Sequence, residues 1–179
     1  NFSKINTSVI ETWSRILKVV KNSKLILKSS LPRVIDLLSD KFQKQGVLES
    51  IEFITTLPNF EDHMLLYKKI DIALDTFPFN GVTTSFEAIW MGTPVITMKG
   101  YNFNSRCGES ISKNLNMEYL IANNEMDYVT KAKDLSENKD KLLNIRKKIF
   151  DQAILSPLFD TKSFSNDFFK SLVTIYNKQ

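Results

Sequence analysis

The sequence D-I-A-L-D-T-F-P-F-N-G-V-T-T-S-F-E-A-I-W-M-G-T-P-V-I-T-M, from Asp71 to Met98, decides the fold of this chain. It begins in an apolar run, Ile70 to Leu74, that is typical of a buried strand, and Pro94 to Met98 is a second such run. Between them lies a loop, Thr76 to Thr84, which contains Gly81 and is followed by apolar side chains at helical spacing. A strand, a loop, a helix and a second strand in this order predict a parallel β-α-β unit.

The same alternation extends on both sides of this unit. Strands are predicted at Lys24–Lys28, Ile51–Thr55, Ile70–Leu74, Pro94–Met98 and Tyr119–Ala122. Helices are predicted from Asn6–Ser8 to Val20, from Pro32 to Gly46, at Phe60–Lys69, from Val82–Thr84 to Gly92, and at Arg106–Leu115, Met126–Leu135, Asp140–Ile154 and Ser163–Tyr176. The pattern predicts an α/β fold, a Rossmann-like parallel sheet flanked by helices. Ligands of such sheets bind beyond the carboxyl ends of the strands, which favours the loops Thr55–Glu61 and Asp75–Thr84.

Composition excludes several classes of protein. The 179 residues, 42% hydrophobic and 25% charged, fit one globular domain or one lobe of a larger enzyme. The net charge of +4 is mild and its basic residues are scattered, so we expect no nucleic-acid surface. Apolar runs of about five residues are too short to span a bilayer. The single cysteine, Cys107, favours a reducing compartment and a cytoplasmic protein.

The loop between the third predicted strand and the helix that follows it has the features of a phosphate site. A helix that starts at Val82 to Thr84 presents unpaired N–H groups, and its dipole favours negative charge there. The hydroxyls of Thr83 and Thr84 extend this cradle, Gly81 permits close backbone approach, and the Glu87 carboxylate one turn later could accept two bonds from a ribose diol. The alternative is purely structural: Thr83 or Thr84 caps the helix, and Glu87 completes a capping box with Thr84.

The stretch from Asp71 to Met98 closely resembles the carboxyl-terminal catalytic lobe of O-linked N-acetylglucosamine transferases. These enzymes form glycosyltransferase family 41, which includes the SPINDLY-like proteins and bacterial enzymes with tetratricopeptide repeats. Further matches follow in the expected order: N-F-S-K-I-N at the start, P-N-F-E-D-H, S-R at Ser105 to Arg106, and S-P-L-F-D-T at Ser156 to Thr161. The resemblance covers almost the whole chain and implies the second lobe of a GT-B fold.

The resemblance implies a nucleotide-sugar donor site. Lys4 matches a lysine that neutralises the diphosphate and stabilises the leaving group, so it is the candidate catalytic residue. Asn1 stands where animal members have a phosphate-contacting Gln, and His63 matches a histidine that packs on the nucleotide. The implied donor-binding set is Asn1, Lys4, His63, Gly81, Val82, Thr83, Thr84 and Glu87. No metal or cofactor is expected, because the resemblance implies metal-independent inverting transfer and the sequence lacks D-x-D.

Three positions depart from the family pattern. Val82 replaces a His of animal members, although its backbone amide remains; Phe60 replaces a Lys near the nucleotide, and Leu66 replaces an Arg at the base pocket. UDP is therefore the expected nucleotide of the donor, and GDP, used with fucose by the SPINDLY branch, stays open.

Three hypotheses follow for the function. The first is a glycosyltransferase that moves N-acetylglucosamine or a related sugar from a UDP-sugar to Ser or Thr of proteins. The second is a non-catalytic nucleotide-sugar-binding module, and the third is an interaction domain that has kept the fold but lost the ligand. We expect one lobe cut from a longer protein, with a core at 1–155 and a terminal turn and helix at 156–179. The acceptor protein would bind the missing first lobe or repeats, and the isolated lobe would be inactive. We also expect the terminal helix to pack back on the fold, and Trp13, Trp90 and most phenylalanines to lie in the core.

Overall fold

The computed structural model describes residues 2–55 and 57–178. In this part of the chain, helices and strands alternate as the sequence predicts. The helices are α1 (Thr7–Val19), α2 (Pro32–Lys44), α3 (Phe60–Leu66), α4 (Thr83–Trp90), α5 (Cys107–Asn114), α6 (Glu125–Glu137), α7 (Lys139–Leu155) and α8 (Thr161–Tyr176). The strands are β1 (Leu25–Lys28), β2 (Ile51–Ile54), β3 (Ala73–Leu74), β4 (Val95–Met98) and β5 (Ile121–Ala122). Short 3₁₀ turns join several of them, including one at Phe2–Lys4.

The strands pair in parallel but in two groups. Strand β1 pairs with β2, with Leu25 opposite Ile51. Strand β4 lies between β3 and β5, with Ala73 opposite Val95 and Thr97 opposite Ile121. The prediction of an α/β fold with parallel strands is confirmed. The strands form two sheets rather than the single sheet that was predicted, and a cavity lies between β1 and β3.

Strand β3 is much shorter than the predicted run from Ile70 to Leu74. The Arg146 guanidinium, from α7, donates to the carbonyls of Ile70 at 2.6 Å and Asp71 at 3.1 Å. These carbonyls are satisfied by a side chain rather than by a neighbouring strand, so pairing begins only at Ala73.

The helix ends follow local chemistry. Helix α1 is capped by Asn6, the first residue of the predicted start, whose side chain accepts from the amide of Val9. Pro32 begins α2, and Gly46 follows its end in the left-handed region at φ 70°, as the sequence predicts.

The core lies between the sheet strands and the helices that pack on them, including α1, α2, α4, α6 and α7. Its fully buried side chains include Val9, Phe42, Ile96, Tyr128 and Ile149. Trp13 is buried as predicted, but Trp90 is 45% exposed and packs on the rings of Phe150 and Phe159.

The prediction that most phenylalanines are buried is wrong, and so is the prediction that α8 packs back on this fold. Every side chain of α8 is exposed, and it carries Phe164, Phe168 and Phe169. Helical periodicity identifies an apolar face but does not say whether another element covers it. Within residues 2–55 and 57–178, no helix has the length and apolar character needed to cross a membrane.

Candidate functional site

A cavity of about 400 Å³ opens between the two groups of strands. Its walls come from the turn that carries Lys4, from Lys28 at the end of β1, and from Asp75 directly after β3. The amino end of α4, with Thr83 and Thr84, closes another side. This position, at the carboxyl ends of parallel strands, is where α/β sheets bind ligands.

Buried polar groups hold the loop between β3 and α4. The Asp75 carboxylate accepts from the Gly81 amide at 2.6 Å and from the Thr97 hydroxyl at 2.8 Å. Asn80 is completely buried: its side-chain amide donates to the carbonyl of Thr76, and its side-chain oxygen accepts from the Gly108 amide. Both side chains are paired within the protein, so the loop has a fixed conformation.

Gly81 lies close to the first turn of α4. A Cβ at this position would lie 2.7 Å from the hydroxyl oxygen of Thr84 and 2.9 Å from that of Ser85. An added side chain would therefore force the hydroxyls of Thr84 and Ser85 to move. The close approach lets the loop enter α4 directly beside the cavity.

Helix α4 begins without a side-chain cap. Its N-cap residue is Val82, whose carbonyl accepts from the amides of Ser85 and Phe86. Within the described part of the chain, the amides of Val82, Thr83 and Thr84 have no hydrogen-bond partner. Because Thr83 and Thr84 are exposed at the cavity, their amides and hydroxyls are available to an anion. The capping alternative is wrong, since neither threonine caps the helix.

Lys4 supplies a cation at the same loop. Its ammonium donates to the carbonyl of Asn80 at 2.8 Å and lies 3.9 Å from the centre of the Phe79 ring. An ammonium has three donors, so the bond to Asn80 does not exhaust it. The two contacts hold the charge of Lys4 at the cavity wall near the amino end of α4.

Four side chains form a hydrogen-bonded chain beside the cavity. The Lys28 ammonium lies 3.2 Å from Nδ1 of His63, and Nε2 of His63 lies 3.2 Å from Oε2 of Glu87. The Tyr67 hydroxyl donates to the same Oε2 at 3.2 Å. Since an ammonium can only donate, the contact with Lys28 makes Nδ1 an acceptor and leaves Nε2 to donate to Glu87.

These bonds orient the Glu87 carboxylate. Both use Oε2, and among the described residues Oε1 has no hydrogen-bond donor. Burial, and then the charge of Glu87, raise the pKa of the Tyr67 hydroxyl above its usual range, so Tyr67 stays protonated and donates.

Comparison with known proteins identifies the family. The sequence model described as "Glycosyl transferase family 41" matches residues 1–168. The chain belongs to glycosyl transferase family 41. The resemblance inferred from Asp71 to Met98 is confirmed by this match.

Curated relatives in this family carry the names of peptide-modifying enzymes. A barley (Hordeum vulgare) protein, "Probable UDP-N-acetylglucosamine--peptide N-acetylglucosaminyltransferase SPINDLY", is 36% identical over 171 residues. That alignment spans 92% of this chain and 18% of the barley protein. A UDP-N-acetylglucosamine--peptide N-acetylglucosaminyltransferase of Caenorhabditis elegans is 30% identical over 164 residues, spanning 92% of this chain and 14% of that protein. This chain therefore spans less than a fifth of these relatives.

A solved structure matches the fold. It is a lysine-to-methionine mutant of the Thermobaculum terrenum O-GlcNAc transferase, and it superposes with a TM-score of 0.88 at 28% identity. The match covers 95% of this chain and 33% of that one. It confirms the predicted fold, a Rossmann-like lobe resembling the carboxyl-terminal lobe of a GT-B glycosyltransferase.

The structure brings most of the predicted family residues together. Lys4, Gly81, Val82, Thr83 and Thr84 line the cavity. Lys28 and Tyr67 also line the cavity, and they form hydrogen bonds with His63 and Glu87, respectively. Asn1 lies outside the described residues.

Sequence reasoning missed Asp75, Asn80, Tyr67 and Lys28 as members of this site. Asp75 and Asn80 stand inside the quoted motif, at the end of a strand and directly before Gly81, and that position was the available signal. Phe60, one of the positions that depart from the family pattern, lies beside His63. It is 67% exposed, and its ring centroid lies 6.2 Å from that of His63.

Proposed function

We propose that the cavity binds a nucleoside-diphosphate sugar and that the chain is the donor-binding lobe of a glycosyltransferase. One observation carries the proposal: the free amides and hydroxyls of Thr83 and Thr84 line the same cavity as the Lys4 ammonium. This combination of a helix amino end and a cation suits a diphosphate. Membership of a glycosyltransferase family supports it independently.

The parts of the donor can be assigned to parts of the site. The diphosphate would lie between Lys4 and the first turn of α4, and the ribose diol would bind the open oxygen of Glu87. The base would lie near His63, where uracil is the expected base. Sugar transfer leaves negative charge on the diphosphate, and the Lys4 ammonium and the fixed amides would stabilise that charge in the transition state.

For the whole protein, we propose transfer of N-acetylglucosamine or a related sugar to Ser or Thr of other proteins in the cytoplasm. The names of the relatives support a UDP-N-acetylglucosamine donor and a peptide acceptor. The proposal includes no nucleic-acid partner, which is consistent with the mild net charge of +4.

Calorimetric titration with UDP, GDP and uridine tests the donor site. We expect UDP to bind with a dissociation constant below about 1 mM and more tightly than uridine, because the phosphate contacts add to those of the nucleoside. Failure of both UDP and GDP to bind at millimolar concentration would overturn the proposed function. Tighter binding of GDP than of UDP would instead keep the donor site and change its nucleotide.

Replacing Tyr67 by phenylalanine should weaken uridine binding about fivefold, the effect of losing one hydrogen bond that orients a carboxylate. The ring contact with His63, at 5.7 Å between centroids, is retained in this variant. Only the hydroxyl is lost, with its bond to Glu87 and a longer one, at 3.4 Å, to the carbonyl of Thr84. Titration with uridine measures the change. Tyr176→Phe, on the exposed helix α8, is the matched control, and an equal effect of both substitutions would contradict the orienting role of Tyr67.

A further inference from the structure

Asp75 stands in an unexpected place for a carboxylate. It follows β3, is only 6% exposed, and lines the cavity on the side of the loop that leads to Thr83 and Thr84. If those threonines bind a diphosphate, a buried negative group lies behind an anion site. Simple charge complementarity would favour a neutral residue there, so the carboxylate needs an explanation.

The hydrogen bonds of Asp75 supply part of that explanation. Its Oδ1 accepts from the amide of Gly81 at 2.6 Å, and its Oδ2 accepts from the hydroxyl of Thr97 at 2.8 Å. A Cβ added at Gly108 would lie 3.0 Å from Oδ2, so α5 packs closely against the carboxylate as well. Asp75 is therefore fixed from three sides, and it fixes the residue that precedes the free amides of α4.

The charged and titratable groups around Asp75 come from several elements. The Lys4 ammonium favours its charged form, whereas burial disfavours it more strongly. The Tyr128 hydroxyl, from α6, donates to the backbone carbonyl of Asp75, and burial raises its pKa well above the usual range. Lys28 and Tyr67 line the same cavity but bond to His63 and Glu87.

We propose that Asp75 is a positioning residue with two opposite effects on the donor diphosphate. Its hydrogen bonds hold Gly81 so that the amides of α4 face the cavity, while its negative charge opposes the diphosphate that those amides bind. This inference rests on the proposed function. It deepens that function by linking occupation of the site to the charge of one buried carboxyl group.

Proton linkage follows from this geometry. Burial raises the pKa of the Asp75 carboxyl to about 6, and a diphosphate close by would raise that pKa further, because a second negative charge favours the protonated form. Binding of UDP should then be accompanied by proton uptake at Asp75 near neutral pH. Consequently, affinity for UDP should increase as the pH falls from 8 towards 6.

Two substitutions separate the two effects. Asp75→Asn is nearly isosteric: its amide oxygen can still accept from Gly81, its NH₂ group can donate to the Thr97 oxygen, and the charge is gone. We expect it to bind UDP about tenfold more tightly than the unmodified chain at pH 8. Asp75→Ala removes charge and anchor together, and we expect it to bind UDP about tenfold more weakly because the amides lose their alignment.

Calorimetry with UDP and uridine at pH 8 and pH 6 measures these affinities, and buffers of different ionisation enthalpy measure the proton uptake. UDP itself also titrates in this pH range, but its contribution is the same for the unmodified chain and for the variants. Comparison with Asp75→Asn therefore isolates the carboxyl group of the protein. The dependence of affinity on pH should be weaker for Asp75→Asn than for the unmodified chain, and uridine affinity should change less than about twofold. Asp71→Asn, on an exposed carboxylate four residues earlier, is the control for net charge.

The proposal would be overturned if Asp75→Asn bound UDP no more tightly than the unmodified chain at pH 8. It would also be overturned if UDP affinity depended equally on pH in the variant and in the unmodified chain. A misfolded Asp75→Ala, detected by circular dichroism, leaves the asparagine comparison decisive. If the unmodified chain binds neither UDP nor GDP, the proposed function fails and this inference fails with it. If it binds UDP and all variants bind equally, only the inference fails.

Discussion

Replacing Lys4 by alanine is expected to weaken UDP binding about 100-fold and uridine binding less than about threefold, because a charge-assisted contact to phosphate is lost while the nucleoside contacts remain. The Lys4 ammonium is held by the carbonyl of Asn80 and the ring of Phe79 at the wall of the cavity. Its position is therefore set before a ligand arrives, and its charge can act on a diphosphate without reorganisation. Calorimetric titration with both ligands measures the two effects.

The ratio between the two losses is what identifies the role of Lys4. Lys18→Ala, on the exposed side of α1, is the control for the loss of one positive charge and should leave both affinities nearly unchanged. Lys4→Arg retains the charge with a different geometry, and we expect an intermediate loss for UDP. Equal weakening of UDP and uridine by Lys4→Ala would contradict a phosphate role and indicate that the loop around Asn80 had moved.

Local sequence patterns predicted the order and type of the elements well. The apolar run from Pro94 to Met98 became strand β4, and Pro32 and Gly46 mark the two ends of α2 as expected. Signals of this kind act over a few residues, through periodicity, proline geometry and left-handed turns. They do not depend on what the rest of the chain places nearby.

Errors arose where distant residues decide the outcome. The spacing of Thr84 and Glu87 fits a capping box, yet Glu87 bonds instead with His63, which lies 24 residues earlier in the chain. The strand expected from Ile70 is shortened by Arg146, 76 residues later. Neither partner can be inferred from a local pattern, because the contact exists only after the helices have packed.

The loop from Asp75 to Thr84, where the sequence predicts the site, lines the cavity, but the prediction did not include the residues that hold this loop in place. The family resemblance identifies residues that are expected to contact a donor, but it does not identify the residues that keep those contacts in position. Asp75 and Asn80 belong to the second kind: each is buried and bonded to loop backbone. Their importance depends on burial and hydrogen bonding, which the sequence alone does not give.

Replacing Gly108 by alanine should lower the free energy of unfolding by about 2 kcal/mol, since overpacking a tight site costs roughly 1–3 kcal/mol and helix propensity returns up to about 1 kcal/mol. Gly108 is the second residue of α5, and its amide donates to the buried side-chain oxygen of Asn80. An added Cβ would collide with the side chain of Thr97 and lie 3.0 Å from Oδ2 of Asp75. Thr97 is fully buried in β4, so it cannot move aside cheaply. Thermal denaturation should show a fall in Tm of about 4–8 °C for a chain of this size.

A double-mutant cycle tests whether the collision with Thr97 is the cause. In a Thr97→Ala background the added methyl group no longer meets the Thr97 hydroxyl, although the Cβ at 2.7 Å remains, so Gly108→Ala should cost about 1 kcal/mol less there than in the unmodified chain. Ser110→Ala, at an exposed position of the same helix, should change the stability by less than about 0.5 kcal/mol. If steric contact were unimportant, Gly108→Ala would stabilise α5 through helix propensity, and a rise in Tm would contradict the close packing of α5 on β4. A Cβ at Gly108 would also press on the Asp75 carboxylate, so Gly108→Ala should weaken UDP binding as well. The packing of this glycine, outside the cavity, would then influence the α4 amides that face the cavity.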